Sequence, residues 1–451
     1  MTSSSHIVVC GLGYGDEGKG TVTDAWSHRF DSATVIRYNG GPQAGHNVVS
    51  TNGRWHCFSQ FGSGTFTATA RTFLSRHMLV DLETMSVEAD VLRGKGISDP
   101  YQRLFVDADC VVITPMQKFV GRMREIARGS SAHGSCGMGV GETRRDAENG
   151  LGLTIRDILD SNRRRDKLLQ IAESKFDEAG RLLRNTPNEE MRAVYDDLRE
   201  ICDLDALAYR YLSMIGQLSV IEQGRLFLSD TLKNGKVIFE GAQGALLDRT
   251  RGFVPYVTQS DTTCQQALDL STEAGGRKKP FVLGVLRCYG HRHGVGPFIT
   301  EDESTRWRFA DVLNPMNRWQ GRFRVGWLDL PAIRYGIRLN ERVDALAVTG
   351  LDQLSGFDRI RICASYTDGQ KILTDIPQTA GTSRTEHLMR CRPRDWIELP
   401  GWQNDLSEVR RFRNLPRNAK ALIRFLESPE GLNKPVAMIS LGITTSHKIF
   451  L

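Results

Sequence analysis

From Gly13 to Thr21 the chain reads Gly-Tyr-Gly-Asp-Glu-Gly-Lys-Gly-Thr. Glycines at such spacing let backbone N–H groups close around phosphate oxygens, and Lys19 adds a point charge. The apolar run Ile7-Val8-Val9-Cys10 precedes the loop, and a helix is predicted from near Val22. The frame is that of a phosphate loop with two anomalies. Gly20 stands where the usual hydroxyl ligand of magnesium belongs, and the acids Asp16 and Glu17 sit inside a loop meant for anions. Such a pair repels phosphate unless a metal ion or a proton transfer requires it. The pattern therefore predicts a nucleotide site with an acid built into it; the bland alternative is an ordinary strand–turn–helix.

Further polar loops follow apolar runs, where ligands bind in open α/β sheets. Arg37 to Asn47 carries Gly40-Gly41-Pro42-Gln43-Ala44-Gly45-His46, and a histidine in such a loop is poorly placed for core packing. Glu240-Gly241-Ala242-Gln243-Gly244 follows another run, and Thr258, Ser260, Thr262 and Thr263 supply hydroxyls. Gly134-Ser135-Cys136-Gly137-Met138-Gly139-Val140-Gly141 is a candidate anion nest. Arg322 and Arg324, at alternate spacing, can clamp a carboxylate or form a solvated charge run.

These loops need a scaffold. Short β-branched runs at Ala33–Arg37, Val111–Ile113, Val237–Phe239, Phe281–Leu283, Ala345–Val348, Ile360–Ile362 and Val436–Ile439 predict a mainly parallel central sheet covered by helices, an α/β fold. Between 154 and 228 the pattern turns helical and charged, which predicts a helical insertion lying on the sheet within one domain of residues 1–451. Hydrophobic content of 40% and charged content of 25% over 451 residues suit a soluble globular protein. The net charge of +6 suits small anionic substrates and is too mild to argue for nucleic acid or membrane. The first residues lack the order of a signal peptide, and the nine scattered cysteines include no C-x-x-C pair, which predicts reduced thiols in the cytoplasm.

Taken in order, the blocks resemble adenylosuccinate synthetase. The resemblance rests on Gly15 to Thr21, Gly40 to Asn47, Glu240 to Asp248, Pro255-Tyr256-Val257-Thr258, Gly294 to Phe298 with Thr300-Glu301, and Gly326-Trp327-Leu328-Asp329. It implies a P-loop-NTPase-like fold, usually a homodimer, and a ligase acting on a 6-oxopurine nucleotide (IMP), GTP and L-aspartate with Mg2+. The 6-oxygen is phosphorylated and then displaced by the aspartate amine. Carried over by position, Asp16 is the base at N1 and holds Mg2+ with the carbonyl of Gly45, and His46 stabilises the phosphoryl group in transit. Lys19 and the loop from Gly15 through Glu17 and Gly18 to Gly20 cradle phosphates; Gln243 fixes the purine edge. Gln43, Thr258, Ser135 and Cys136 fall on nucleotide- and phosphate-binding positions, Asp352 on the guanine site, and Arg322 and Arg324 on the aspartate loop.

Departures from the family pattern cluster at specificity positions. Gln43 replaces an asparagine, Cys136 and Met138 replace a threonine and an arginine, Trp319-Gln320 replace two threonines, and Gly350 replaces the lysine of the guanine site. Arg144 and Arg145 are the candidates for the arginine that reaches a neighbouring subunit. These changes predict weaker guanine selectivity, with ATP as an alternative donor, and a crowded amine-donor pocket. They leave open a paralogue using another oxo-nucleotide such as (d)GMP, or another amine. A non-catalytic nucleotide sensor is the remaining alternative, against which the retention of Asp16, Lys19, His46 and Gln243 argues.

Overall fold

The computed structural model describes residues 4–129, 132–309 and 318–451; Met1–Ser3, where the signal-peptide reading begins, lie outside them. Among the described residues one sheet has ten strands, numbered here in chain order: β1 (His6–Gly11), β2 (Ala33–Arg37), β3 (Arg71–Leu74), β4 (Leu104–Asp107), β5 (Ser219–Ile221), β6 (Lys236–Gly244), β7 (Phe281–Arg287), β8 (Ala345–Thr349), β9 (Val436–Ser440) and β10 (Lys448–Phe450). Their order across the sheet is β10-β9-β8-β7-β1-β6-β2-β3-β4-β5. Neighbours run parallel except for β10, which pairs antiparallel with β9.

Strand alternation explains why both faces are apolar. In β1, Ile7 and Val9 pack with Val22, Ala25 and Trp26 of helix α1 (Lys19–Phe30) on one face. Val8 and Cys10 pack on the other face with Leu228 and Leu232 of the helix Gly224–Asn234.

Two predicted strands lie elsewhere. Val111–Val112 pairs with Leu79–Val80 in a two-stranded ribbon. Ile360–Ile362 belongs to Phe357–Cys363, antiparallel to Trp396–Trp402, because Arg359 and Arg361 keep one of its faces in solvent. The predicted insertion is helical over Ile155–Leu159, Ser161–Asn185, Glu189–Ile201 and Leu204–Ile215, and then interrupted by β5, the edge strand of the sheet. Its long helices pack against the helix Pro115–Arg128.

Candidate active site

The carboxyl ends of β1, β2, β6, β7, β8 and β9 converge on one side of the sheet, as the ligand rule for open α/β folds requires. A cavity of about 240 Å³ opens there. It is lined by Gly15 to Thr21 after β1, Gly45 and His46 after β2, Arg287 at the end of β7, Gly350 and Asp352 after β8, and Ser440, Gly442 and Ile443 after β9. Predicted residues Gly15, Asp16, Glu17, Gly18, Lys19, Gly20, Gly45, His46 and Asp352 thus meet in one place.

The acidic pair divides its work. Glu17 turns inward, where its Oε1 accepts from the amides of Gly13 (2.9 Å) and Gly15 (2.7 Å). Its Oε2 accepts from Lys19 Nζ at 2.9 Å, and that ammonium also donates to the Gly15 carbonyl at 2.6 Å. Burial opposes ionisation of Glu17, but Lys19, His291 and the Gly15 amide hold its carboxyl below its ordinary value. Two loop amides and the lysine expected on phosphate are therefore engaged inside the loop. Asp16 lines the cavity half-buried, and burial pushes its carboxyl up against the pull of Arg287, His293 and Lys19. Arg287 Nε donates to the Asp16 carbonyl at 2.5 Å and fixes its backbone.

Gly20 lacks the usual hydroxyl because there is no room for one. A Cβ there would sit 2.7 Å from Cβ of His46, and that close approach seats the histidine against the phosphate loop. His46 Nδ1 lies 2.6 Å from Glu240 Oε1. Glu240 also accepts from Ser63 Oγ and, at 3.0 Å, from the Ser63 amide, with Arg37 Nε 4.0 Å away. Burial lowers the His46 imidazole although Glu240 favours its charged form. Sequence reasoning assigned no role to Glu240, Arg37 or Arg287. The usable signal was chemical: a buried catalytic imidazole needs a partner to fix its tautomer.

Other predicted residues stand outside these walls. Both amide atoms of Gln43, and Oε1 of Gln243, are buried without a partner among the described residues, which suits groups awaiting a polar ligand. Gln243 also holds φ 59°, a left-handed conformation uncommon for a side-chain-bearing residue. Thr258 is half-buried, its amide bonded to the Leu247 carbonyl at 3.0 Å. The start of the Gly134–Gly141 segment is engaged within the protein: Glu125 Oε2 accepts from the amides of His133 (3.1 Å), Gly134 (3.2 Å) and Ser135 (3.5 Å). Burial raises the Cys136 thiol to about 11, so it stays protonated at neutral pH. Of the predicted anion nest, the Gly134 and Ser135 amides are held by a carboxylate from the helix Pro115–Arg128.

The two arginines also differ. Arg324 donates to Glu301 from Nε at 3.0 Å and from Nη2, while its Nη1 holds the carbonyls of Gly294 (3.2 Å) and Gly296 (2.9 Å). Most of its fork is spent inside the protein. Arg322 touches Glu301 at 3.3 Å and Glu303 at 3.8 Å, with 55% of its side chain exposed against 16% for Arg324. Arg144 donates to the His77 carbonyl at 3.0 Å, and Arg145 pairs with Glu142.

Residues 8–449 match the family model described as adenylosuccinate synthetase. The chain belongs to the adenylosuccinate synthetase family. Similar curated proteins include the adenylosuccinate synthetase of Frankia alni, 34% identical and covering 97% of this chain and 96% of that protein. That of Anaeromyxobacter sp. strain K is 32% identical, covering 99% and 98%. Among solved structures, fully ligated adenylosuccinate synthetase from Plasmodium falciparum aligns with a TM-score of 0.82 at 23% identity, over 99% of this chain and all of that one. The succinoaminodeoxyadenylate synthetase of cyanophage S-2L, bound to dGMP and dATP, aligns at 0.57 and 15% identity over 98% and 94%. The family converts IMP and L-aspartate to adenylosuccinate with GTP, a C–N ligase reaction. Among the described residues no helix is long and apolar enough to cross a membrane, and all nine cysteines are free.

Proposed function

We propose that this chain makes adenylosuccinate in the cavity described above, with Asp16, His46 and Lys19 as its chemical centre. The observation that carries the reading is the convergence of Asp16, Lys19, Gly45 and His46 on one cavity, with His46 oriented by Glu240 at 2.6 Å. Asp16 takes the N1 proton of IMP, and its raised carboxyl makes it a better acceptor than an exposed aspartate. The electrons released reach O6, which attacks the γ-phosphorus of GTP while the bond to GDP breaks. Burial favours the neutral imidazole of His46 in the free protein. The phosphate anion favours its imidazolium, formed by taking up a proton from solvent as the nucleotide binds, which donates from Nε2 to the phosphoryl oxygens as Glu240 balances the charge. In the second step the neutral aspartate amine bonds to C6, the C6–O6 bond breaks with its electron pair going to the departing phosphate, and the proton lost from the amine leaves with that phosphate.

Lys19 exchanges Glu17 for the β/γ phosphates. Gln243 and Gln43, with orphaned amide atoms, meet the purine edge and the nucleotide phosphate, and Thr258 adds a hydroxyl on that side. Arg322 is the arginine left to clamp the aspartate carboxylate. Asp16 and the Gly45 carbonyl are the hard oxygen donors that suit Mg2+, which relies on substrate phosphates rather than a protein cage. The ion neutralises charge on the transferring phosphates when bound. The working form is a cytoplasmic homodimer of 50.5 kDa chains, which sedimentation would read directly.

Phosphate release with IMP, GMP and dGMP, each with GTP or ATP and with or without aspartate, tests the reading. IMP, GTP and aspartate together should turn over, and Asp16→Ala, still folded, should release no phosphate. Turnover only with another acceptor or amine would replace this reading with that of a paralogue.

A further inference from the structure

Gly350 supplies no side chain at the base end of the cavity, and its backbone and surroundings disfavour one here. Its φ is 72°, and a Cβ would lie 3.0 Å from Cε1 of Tyr289. A lysine reaches the same region from β10. The buried Lys448 ammonium donates to the carbonyls of Gly442 (2.6 Å) and Thr444 (2.9 Å), and the Ser440 hydroxyl also donates to Gly442 at 3.0 Å. The turn is further tied to helix α1, through Thr21 Oγ1 to the Ile443 carbonyl (3.2 Å) and through Thr445 to Asp24. With those carbonyls engaged, the amides of Gly442 and Ile443 find no acceptor among the described residues, and both residues line the cavity with Asp352.

We propose that Lys448 is the positioning residue for guanine recognition: it holds the Gly442–Thr444 turn so that two amides face the 6-oxygen of the base while Asp352 accepts from N1–H and the 2-amine. The inference rests on the reading that this cavity takes GTP. Adenine presents a 6-amino group to those amides and a bare N1 to the carboxylate, leaving donors and acceptor unpaired against the base. Burial pulls the Lys448 ammonium down to about 7, and Asp24 and Asp352 favour its charged form. Lys448 thus takes over, from the far end of the chain, the positive charge that position 350 lacks.

Lys448→Met in the full chain, with GTP, ITP and ATP compared at saturating IMP and aspartate, tests this, alongside titration of a fluorescent GDP analogue. The variant should raise KM for GTP and Kd for the GDP analogue about tenfold or more. KM for IMP and aspartate should stay within about twofold, and GTP should lose most of its advantage over ATP. Lys448→Arg, which keeps charge and donors, should recover part of that preference. Unchanged GTP affinity and preference in the folded variant would overturn the proposal, as would a parallel rise in all three KM values, the mark of a merely structural lysine. Should Lys448→Met fail to fold, Lys448→Gln, which retains donors and loses the charge, carries the same measurement. A wild-type protein that shows no preference for GTP would instead overturn the underlying reading of the cavity.

Discussion

Asp16 and His46 experience burial in opposite senses. Burial raises the carboxyl and lowers the imidazole; anionic substrate then favours the His46 imidazolium, whereas Asp16 acts as the carboxylate that accepts the N1 proton. For His46 the charge matters most during transfer. His46→Asn should therefore lower kcat by about two to three orders of magnitude, a typical loss for one such donor, with a smaller change in nucleotide KM. An effect confined to KM would contradict the assignment. The arginine pair separates in the same residue-level way. Arg322→Lys should raise the aspartate KM about tenfold or more through loss of a bidentate fork, with little loss of stability. Arg324→Lys should lower the thermal midpoint as well, since its guanidinium holds Gly294, Gly296 and Glu301 together. Kinetics beside a melting curve for each variant would reveal whether the two roles are reversed.

At the scale of elements, the helix Leu330–Leu339 is capped by Asp329, which accepts from the Ala332 amide at 3.0 Å and from the Tyr366 hydroxyl. Burial outweighs these bonds and raises the Asp329 carboxyl to about 6. The folded chain therefore keeps a proton there that the unfolded chain releases near pH 4. Stability from this group is present below about pH 4 and is lost as pH rises through 6, by about 3 kcal/mol at most. Asp329→Asn keeps an acceptor for the cap and removes the titration. Relative to wild type, the variant should gain stability between pH 4.5 and pH 7.5, as read from paired unfolding curves. A constant difference across that range would mean that Asp329 does not titrate there.

Across the whole molecule, the cavity joins residues at both ends of the chain: the loop after β1 and the turn after β9 line one wall. A nucleotide bound there ties the loop after the central strand β1 to the turn after β9, near the edge of the sheet. GDP at about one hundred times its Kd should stabilise the protein by about 2.7 kcal/mol, as mass action requires. Denaturant unfolding with and without GDP measures this, and the protection should shrink in Lys448→Met at the same GDP concentration. Equal protection in both proteins would separate the C-terminal turn from nucleotide binding. The net charge of +6 suits three anionic substrates, and surface charge of that kind acts on encounter more than on fold.

The sequence by itself determined the phosphate loop, the parallel sheet and the order of the polar blocks. Those depend on local chemistry: glycine's backbone freedom, a lysine at fixed spacing, and β-branched runs apolar on both faces. Partner choice was decided only by tertiary structure. Nothing in the run Asp16-Glu17 says which acid turns inward; Glu17 does because the amides of Gly13 and Gly15 and the ammonium of Lys19 close around it. Nothing in the Gly134 loop says that Glu125, on the preceding helix, holds the Gly134 and Ser135 amides. Glu240 meets His46, and Lys448 shapes the turn beside Asp352, because strand register brings distant residues together. Periodicity reports which face a residue occupies; it carries no information about what lies across the sheet.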